Sequence, residues 1–440
     1  MIRLQQYPNR NKKVGIVLSW LVAFVPIVLL LAFVSKPVDQ SFATLLDDLG
    51  RLAGTVGFSL YAWNLILSAR IGWLERQFGG LDKLYKVHHT IGGLAFILLL
   101  IHPALITLRY ATLSLASAYE FLLPSLADIP LQAGKLALGG LVVVLFITFY
   151  VWVSHERFVW IHRLTGVLFA VVVYHAFFVT GSRILQVPAL AWYLGMLAAV
   201  ALGLFTYRFV FKSLKPRRRY QVSAMDDLGG AWQLTLTPTA RGIEHQAGQF
   251  AFLSFVSPGL PQQTHPFTIA SAPSEESLRF IIKDLGDFTK QLGKLKVGDK
   301  IFVEGPYGTF NYANMPRKQQ IWVAGGIGIT PFLSMARSMK SGEGVEAHLV
   351  YSVADQTQAY GAEELARLSS TLKGALSFTL HDSSKQGYLT VEQITKRMSN
   401  VAECEVLLCG PKGMMHALEQ QFVAAGVSKQ YIQYEEFSLL

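Results

Sequence analysis

Four histidines stand out by residue type and spacing. His88 and His102 bracket the apolar stretch HHTIGGLAFILLLIHP, and His162 and His175 bracket HRLTGVLFAVVVYHA. Both stretches read His-x-x-x-Gly and then a second His. The 14 residues from His88 to His102 correspond to about 21 Å of helical rise and fall about 40° short of four turns. Two imidazoles thus share one helix face, one near each end. The 13 residues from His162 to His175 give a similar rise, about 20 Å, but an ideal helix turns these rings to different faces. A local helix distortion or laterally offset ligands is expected there. Two helices, each with an inner and an outer imidazole, suit two bis-histidine haems b stacked along them. Iron with both axial positions filled favours electron transfer over oxygen binding. The alternative reading is interhelical hydrogen bonding by histidine. His89 is not read as a ligand, and neither is His155, which is expected in a loop.

The elements that must position these rings are long apolar helices. Of 440 residues, 52% are hydrophobic and only 15% charged, with mean hydropathy +0.36, against about 25% charged in a soluble domain. This excludes a disordered chain, a collagen-like chain and an ordinary soluble enzyme. Six runs have the ~20 residues that a span needs: about 14–34, 52–71, 87–108, 136–154, 158–180 and 188–211. The first is too long for a signal peptide, and no small-x-small site precedes Lys36 and Pro37. Histidine inside such runs is costly and points to function. Residues 1–219 hold 21 basic and 8 acidic side chains, while 220–440 hold 18 and 21. The basic residues cluster in alternate loops, at Arg3–Lys13, Arg70–Lys86, Arg157–Arg163 and Lys212–Arg219. That pattern predicts a multi-pass protein of the cell (inner) membrane with both termini cytoplasmic. It argues against nucleic-acid binding, which would gather basic residues on one soluble face. The segment 111–135, fairly apolar, is expected outside and along the surface. The two cysteines, Cys404 and Cys409, exclude a disulfide scaffold and a cysteine-based zinc or iron–sulfur site.

After Arg219 the texture changes. AWQLTLTP, QFAFLSF, HPFTIAS and SLRFIIK read as short strands of an antiparallel barrel. From 319 strands and helices alternate: QQIWVAG, a helix from 331, VEAHLVYS, a helix near 361–370, EVLLCG and a helix from 411. That is the pattern of a parallel α/β domain. VAGGIGITPFLSM ends a strand with Gly325, Gly326 and Gly328. Small residues there let backbone N–H groups approach a pyrophosphate. Thr330 is the expected N-cap and Pro331 the first helical residue.

These motifs, in this order over nearly the whole chain, resemble the flavocytochrome b ferric reductases and NADPH oxidases and their bacterial relatives. The resemblance implies a membrane α-helical bundle of six spans followed by a ferredoxin-reductase-like module: a haem domain (1–215), an FAD-binding β-barrel (216–315) and an NAD(P)-binding α/β domain (316–440). HPFTIAS is similar to the family's flavin motif. It would bring His265, Pro266, Phe267, Thr268 and Ser271 to FAD, with Thr268 hydrogen-bonded to the isoalloxazine. KDLGDFT, with Gly286 and Thr289, resembles the flavin pyrophosphate segment, and EGPYG (304–308) is a further match. GGIGITP resembles the dinucleotide phosphate loop. LLCGPKGMM would place Cys409, Gly410 and Pro411 beside the nicotinamide. Phe437 matches the aromatic residue that stacks on the flavin and moves for nicotinamide. Thr268, Cys409 and Phe437 are thus the residues implied at the reacting centre. The His88, His102, His162 and His175 spacings match too. The bland alternatives are a strand residue, a core residue and terminal packing for these three.

The implied activity moves electrons from cytoplasmic NADH or NADPH through FAD to the inner haem (His88, His162), the outer haem (His102, His175) and an acceptor outside. Ferric chelate is the leading acceptor. Oxygen, reduced by one electron to superoxide, is second, and a separate periplasmic redox partner is third. A non-enzymatic transporter would leave the soluble motifs unexplained. Phe96 or Phe169 stands near mid-depth, either between the haems or in core or lipid packing. Two departures from the family are informative. The superoxide-generating oxidases carry a histidine one turn past the outer ligand of the third helix, where this chain has Ile106. Close relatives read Tyr-x-Val-Arg-Asp where this chain has Ala354 and Asp355, which favours NADH, unless Arg337 or Lys385 meets a 2′-phosphate instead.

Overall fold

The computed structural model describes residues 12–33, 41–123, 127–151, 155–211, 217–257, 260–261, 263–396 and 400–436. The chain forms two compact units, one of Lys13–Phe78 with Lys83–Leu214, the other built mainly from Lys215–Leu440.

The first unit is all helical: α1 (Lys12–Phe33), α2 (Phe42–Ser68), α3 (Gly72–Phe78), α4 (Leu81–Ala111), α5 (Leu115–Leu122), α6 (Ile129–Tyr150), α7 (His155–Phe178) and α8 (Pro188–Phe211). By length and composition α1, α4, α6, α7 and α8 can each cross a membrane. The pair α2–α3 makes a sixth span if counted as one broken helix, bent by 109°. The bend falls where Arg70 takes a left-handed φ of 57°. These helices leave Leu31, Leu136 and Trp192 more than two-thirds exposed, as a lipid-facing surface does.

Three boundaries differ from expectation. α2 starts ten residues before the apolar run at 52, because the charges in its first turns are paired, within the helix and with Arg183. Arg51 Nε reaches Asp47 at 2.6 Å, and Arg183 Nη1 reaches Asp48 at 2.5 Å. α6 starts at Ile129 because Asp128 caps it, accepting from Leu131 N–H at 3.0 Å. His155, expected in a loop, is the first residue of α7.

The second unit opens with six antiparallel strands, β1 (Arg217–Asp227), β2 (Ala231–Pro238), β3 (Phe250–Val256), β4 (Thr264–Thr268), β5 (Leu278–Lys283) and β6 (Lys300–Tyr307). They lie in the order β4-β3-β6-β1-β2-β5. Just past β4, Ala270 N–H donates to Arg279 O on β5 at 2.7 Å, drawing the two outer strands together into a barrel. Alternating residues from these strands, among them Tyr220, Leu234, Phe255, Phe280 and Ile301, fill its interior. A parallel α/β layer follows: β7 (Gln319–Gly325), α9 (Thr330–Ser338), β8 (Glu346–Val353), α10 (Ala362–Thr371), β9 (Leu376–Asp382), α11 (Ser383–Gln386), α12 (Val391–Thr395), β10 (Glu405–Cys409), α13 (Lys412–Ala424) and β11 (Ile432–Glu435). Its sheet order is β11-β10-β7-β8-β9. The order reverses between β7 and β10, and ligands of such sheets bind outside the strand carboxyl ends at that reversal.

Candidate functional site

In the helical unit the four histidines meet as two pairs. The His88 and His162 ring centroids are 6.3 Å apart, and those of His102 and His175 are 6.4 Å apart. α7 runs unbroken through both of its histidines, so no helix break corrects the 13-residue spacing. The two rings instead lean to different neighbours. His162 stacks on Phe158, one turn back, with rings 2° from parallel. His175 is drawn towards α6, where its Nδ1 lies 2.8 Å from Pro130 O.

Backbone carbonyls orient three of the four rings. Nδ1 of His102 lies 2.8 Å from Gly50 O, and Nδ1 of His88 lies 3.1 Å from Asn64 O. A carbonyl only accepts, so Nδ1 of each of these rings carries the proton and Nε2 is left with a free lone pair. Among the described residues, His162 Nδ1 is buried with no hydrogen-bond partner.

Two glycines that sequence reasoning did not single out make room for the outer pair. A Cβ on Gly54 (α2) would lie 2.8 Å from His102 Nδ1, and one on Gly134 (α6) would lie 2.5 Å from His175 Nδ1. The small residues at 50, 54 and 57 were the available signal in α2. Phe169 is fully buried against Phe58 at 5.3 Å and Tyr61 at 5.0 Å, so it packs in the core. His89 is exposed and outside both pairs.

In the second unit, His265, Pro266, Phe267 and Thr268 lie on β4, registered against β3 from Leu253↔His265 to Phe250↔Thr268. His265 stacks on Phe288 at 4.1 Å, and its Nε2 lies 2.9 Å from Gln263 Oε1. Ser271 is buried, with its Oγ accepting from Arg279 N–H at 3.1 Å. The carbonyl of Ser271 faces His245 Nε2 at 3.3 Å, and burial pushes that imidazole below its ordinary value. Thr289 Oγ1 accepts from the N–H groups of Leu285 and Gly286, both at 3.0 Å, and so folds the 285–289 loop. A Cβ on Gly286 would meet nothing within 4 Å. Glu304 is buried and accepts from Tyr307 OH at 2.6 Å and from Arg217 Nε at 3.2 Å.

The two glycine motifs of the α/β layer meet at the sheet reversal. Gly325 ends β7 and Gly326 opens the turn after it, while Cys409 ends β10 and Gly410 and Pro411 follow. A Cβ on Gly328 would run into the Cys409 carbonyl, and one on Gly410 would lie 2.9 Å from Gly325 Cα. Only glycine lets these backbones touch. Thr330 is not the N-cap. A 3₁₀ turn (Gly326–Ile329) leads directly into α9, so Ile329 takes the cap position without a side-chain bond. The Thr330 hydroxyl is turned back on Ile327 O at 3.1 Å, and Pro331 lies in the first helical turn. Cys409 is fully buried, which raises its thiol well above the usual value. Phe437 lies outside the described residues.

At the carboxyl end of β8, Ala354 offers no donor. Asp355 is exposed, and its Oδ1 accepts from Thr357 N–H at 2.9 Å. That bond holds the carboxyl below its ordinary value, hence ionised at neutral pH. Of the two basic residues considered for a 2′-phosphate, Arg337 has its side chain largely covered and bound to both oxygens of Glu364, at 2.7 and 2.6 Å. Lys385 remains exposed, 3.3 Å from Asp382.

Family comparisons match three regions: a ferric reductase like transmembrane component over 53–173, an FAD-binding domain over 232–311 and an oxidoreductase NAD-binding domain over 322–420. Flavohemoprotein A of Dictyostelium discoideum is 29% identical over 194 residues, 41% of this chain and 48% of that protein. The propane 2-monooxygenase reductase component of Mycolicibacterium goodii is 28% identical over 221 residues, 47% of this chain and 63% of that protein. The chain therefore spans about half to three-fifths of the curated relatives it matches. Among solved structures, the FAD/NAD-binding domain of Vibrio cholerae nitric oxide dioxygenase aligns with 50% of this chain and 98% of its own, at 22% identity and a TM-score of 0.44. The chain thus carries, in order, a region matching the ferric reductase like transmembrane component, an FAD-binding domain and an oxidoreductase NAD-binding domain, the arrangement of the ferric reductase-like proteins its motifs resemble.

Proposed function

We propose that the chain is a transmembrane flavocytochrome. It takes electrons from cytoplasmic NAD(P)H, passes them through FAD and two haems b, and delivers them to an extracytoplasmic acceptor, foremost a ferric chelate. The domains would divide as 1–215, 216–315 and 316–440, in the cell membrane with both termini inside.

The spacing of the imidazole pairs carries this reading. A metal about 2.0 Å from each of two imidazole nitrogens separates the ring centroids by about 6 Å, and the observed values are 6.3 and 6.4 Å. The Nδ1 bonds of His88, His102 and His175 free Nε2 for the metal, as the outer-shell partner of a ligating histidine does. When bound, FAD would supply hydride acceptance and single-electron release, and haems held by His88 with His162 and by His102 with His175 would supply one-electron relay. The protein's part is to fix positions. Thr268 would hydrogen-bond the isoalloxazine, with His265, Pro266, Phe267 and Ser271 along the same strand and its exit. Gly286 and Thr289 would face the flavin pyrophosphate. Gly325, Gly326, Gly328, Thr330 and Pro331 would admit the nucleotide phosphates, Cys409, Gly410 and Pro411 would lie beside the nicotinamide, and Phe437 would cover the flavin.

Ferric chelate is favoured over oxygen because Ile106, one turn past His102, is apolar and packs on Gly50. A Cβ at Gly50 would come within 2.8 Å of Ile106 Cδ1. Delivery to a periplasmic redox protein is the third possibility. Purified protein is expected to hold two low-spin haems per chain. His102→Leu or His175→Leu should remove one of them while leaving flavin reduction by NADH intact. A single haem in the parent protein, or no loss in either variant, refutes the four-ligand assignment. Turnover with ferric chelate, oxygen and quinone, with superoxide dismutase as control, identifies the acceptor.

A further inference from the structure

The helix that leaves the nucleotide loop also grips the flavin strand. On α9, Ser334 and Arg337 stand one turn apart, and both donate to backbone carbonyls just beyond HPFT. Ser334 Oγ, fully buried, donates to Ser271 O at 2.7 Å. Arg337 Nη1 donates to Ala270 O at 2.5 Å. The rest of the guanidinium is taken by Glu364, in the first turn of α10, through Nε at 2.7 Å and Nη2 at 2.6 Å. Such a bidentate pair fixes direction as well as distance, and the Arg337 side chain is only 7% exposed. Ala270 and Ser271 are tied on their other side to β5, through Ala270 N–H to Arg279 O and Arg279 N–H to Ser271 Oγ. The exit of β4 therefore cannot shift relative to α9 without breaking several buried bonds.

We propose that Ser334 and Arg337 are positioning residues that set the distance and angle between nicotinamide and flavin, with Glu364 holding Arg337 in place. The proposal rests on the FAD- and NAD-binding domains acting together in hydride transfer. Neither side chain touches a reacting atom. They act because one short helix carries the nucleotide loop at its start and the clamp on the flavin strand two turns later. A misplacement of ~1 Å in such a geometry can slow reaction by about 100-fold.

The experiment uses the full-length protein loaded with FAD, under anaerobic conditions. It measures the rate of flavin bleaching by NADH, the long-wavelength nucleotide–flavin charge-transfer absorbance, FAD content and NAD⁺ affinity. Arg337→Ala is expected to keep FAD content and NAD⁺ affinity within about threefold, to lose the charge-transfer band, and to bleach about 10- to 100-fold more slowly. Ser334→Ala and Glu364→Gln should move the same way by less, and Arg337→Lys, which retains one donor, should recover part of the rate. Unchanged bleaching in Arg337→Ala, or a fall only in proportion to lost FAD, overturns the proposal. If Arg337→Ala does not fold, Ser334→Ala decides: slower bleaching with FAD retained supports the clamp, and an unchanged rate overturns it. A parent protein that fails to bind FAD, or whose flavin NADH does not bleach, refutes the underlying reading instead.

Discussion

Gly134→Ala should remove the outer haem without touching any ligand. The added methyl would lie 2.5 Å from His175 Nδ1 and 2.7 Å from two further ring atoms. Ordinary contact needs about 3.5 Å, so ring and helix must part by roughly 1 Å. Metal–ligand distances tolerate only about 0.2 Å. The same displacement stretches the 2.8 Å bond to Pro130 O, and loss of such a partner weakens metal binding by about 10- to 100-fold. If α6 gives way instead, overpacking costs about 1–3 kcal/mol. The assay is haem per flavin by haemochrome absorbance, with NADH-driven reduction of a soluble acceptor as an internal reference. The expected result is near one haem per chain with the flavin activity unchanged. Gly139→Ala on the same helix is the control. Its Cβ meets nothing within 4 Å, and alanine there favours the helix by up to about 1 kcal/mol. Two haems with an unaltered low-spin spectrum in Gly134→Ala would refute the packing of His175 against α6 and, with it, the outer pair.

Thr268→Ala should slow flavin reduction while leaving haem content unchanged, read by stopped-flow bleaching. Gly328→Ala should abolish productive nucleotide binding, because its methyl meets the Cys409 carbonyl; the check is KM for NADH together with thermal melting. NADH should be used at least as well as NADPH, and Ala354→Arg should shift the kcat/KM ratio towards NADPH by about 10- to 150-fold, the equivalent of one charge-assisted pair. A tenfold or greater NADPH preference in the parent would contradict this. Glu364 is held below its ordinary value chiefly by its hydrogen bonds from Arg337. A lowered carboxylate stabilises the fold fully above the unfolded-state value and stops doing so as pH falls through the lowered one. The stability difference between the parent and Glu364→Gln should therefore be full near neutrality, begin to fall near the unfolded-state value of about 4.3 and be gone only below the lowered one, read from melting curves.

The histidines were legible because an ionisable ring in a hydrocarbon stretch is a strong contrast. What holds them was not, since every residue has a carbonyl and nothing in the letters at Gly50, Asn64 or Pro130 marks theirs as acceptors. Gly54 and Gly134 matter through a missing side chain, which spacing hints at only once the facing ring is known. The start of α2 was hidden by Asp47, Asp48 and Arg51, whose pairing involves Arg183 over a hundred residues away. Thr330 looked like a cap because Thr-Pro often is one, but the preceding 3₁₀ turn had already begun the helix. The strands QQIWVAG and EVLLCG were plain because each carries an unbroken apolar run after its polar start. The short β11 and the edge strand β9, with its mixed burial, carried too weak a pattern. Arg337 and Glu364 are 27 residues apart, and only the packing of α9 on α10 brings them together.

The bonds from His88 to Asn64 O and from His102 to Gly50 O tie α4 to α2 at two levels. His88 and His102 are 14 residues apart, and so are Gly50 and Asn64. The two helices are thus matched rulers read in opposite directions. A residue inserted or deleted between the ties, in either helix alone, would shift one tie by about 1.5 Å and 100° against the other. One imidazole would then lose its anchor. Substitutions on the outward faces between the marks leave the count intact, so these helices should accept wide changes of side chain and almost none of length.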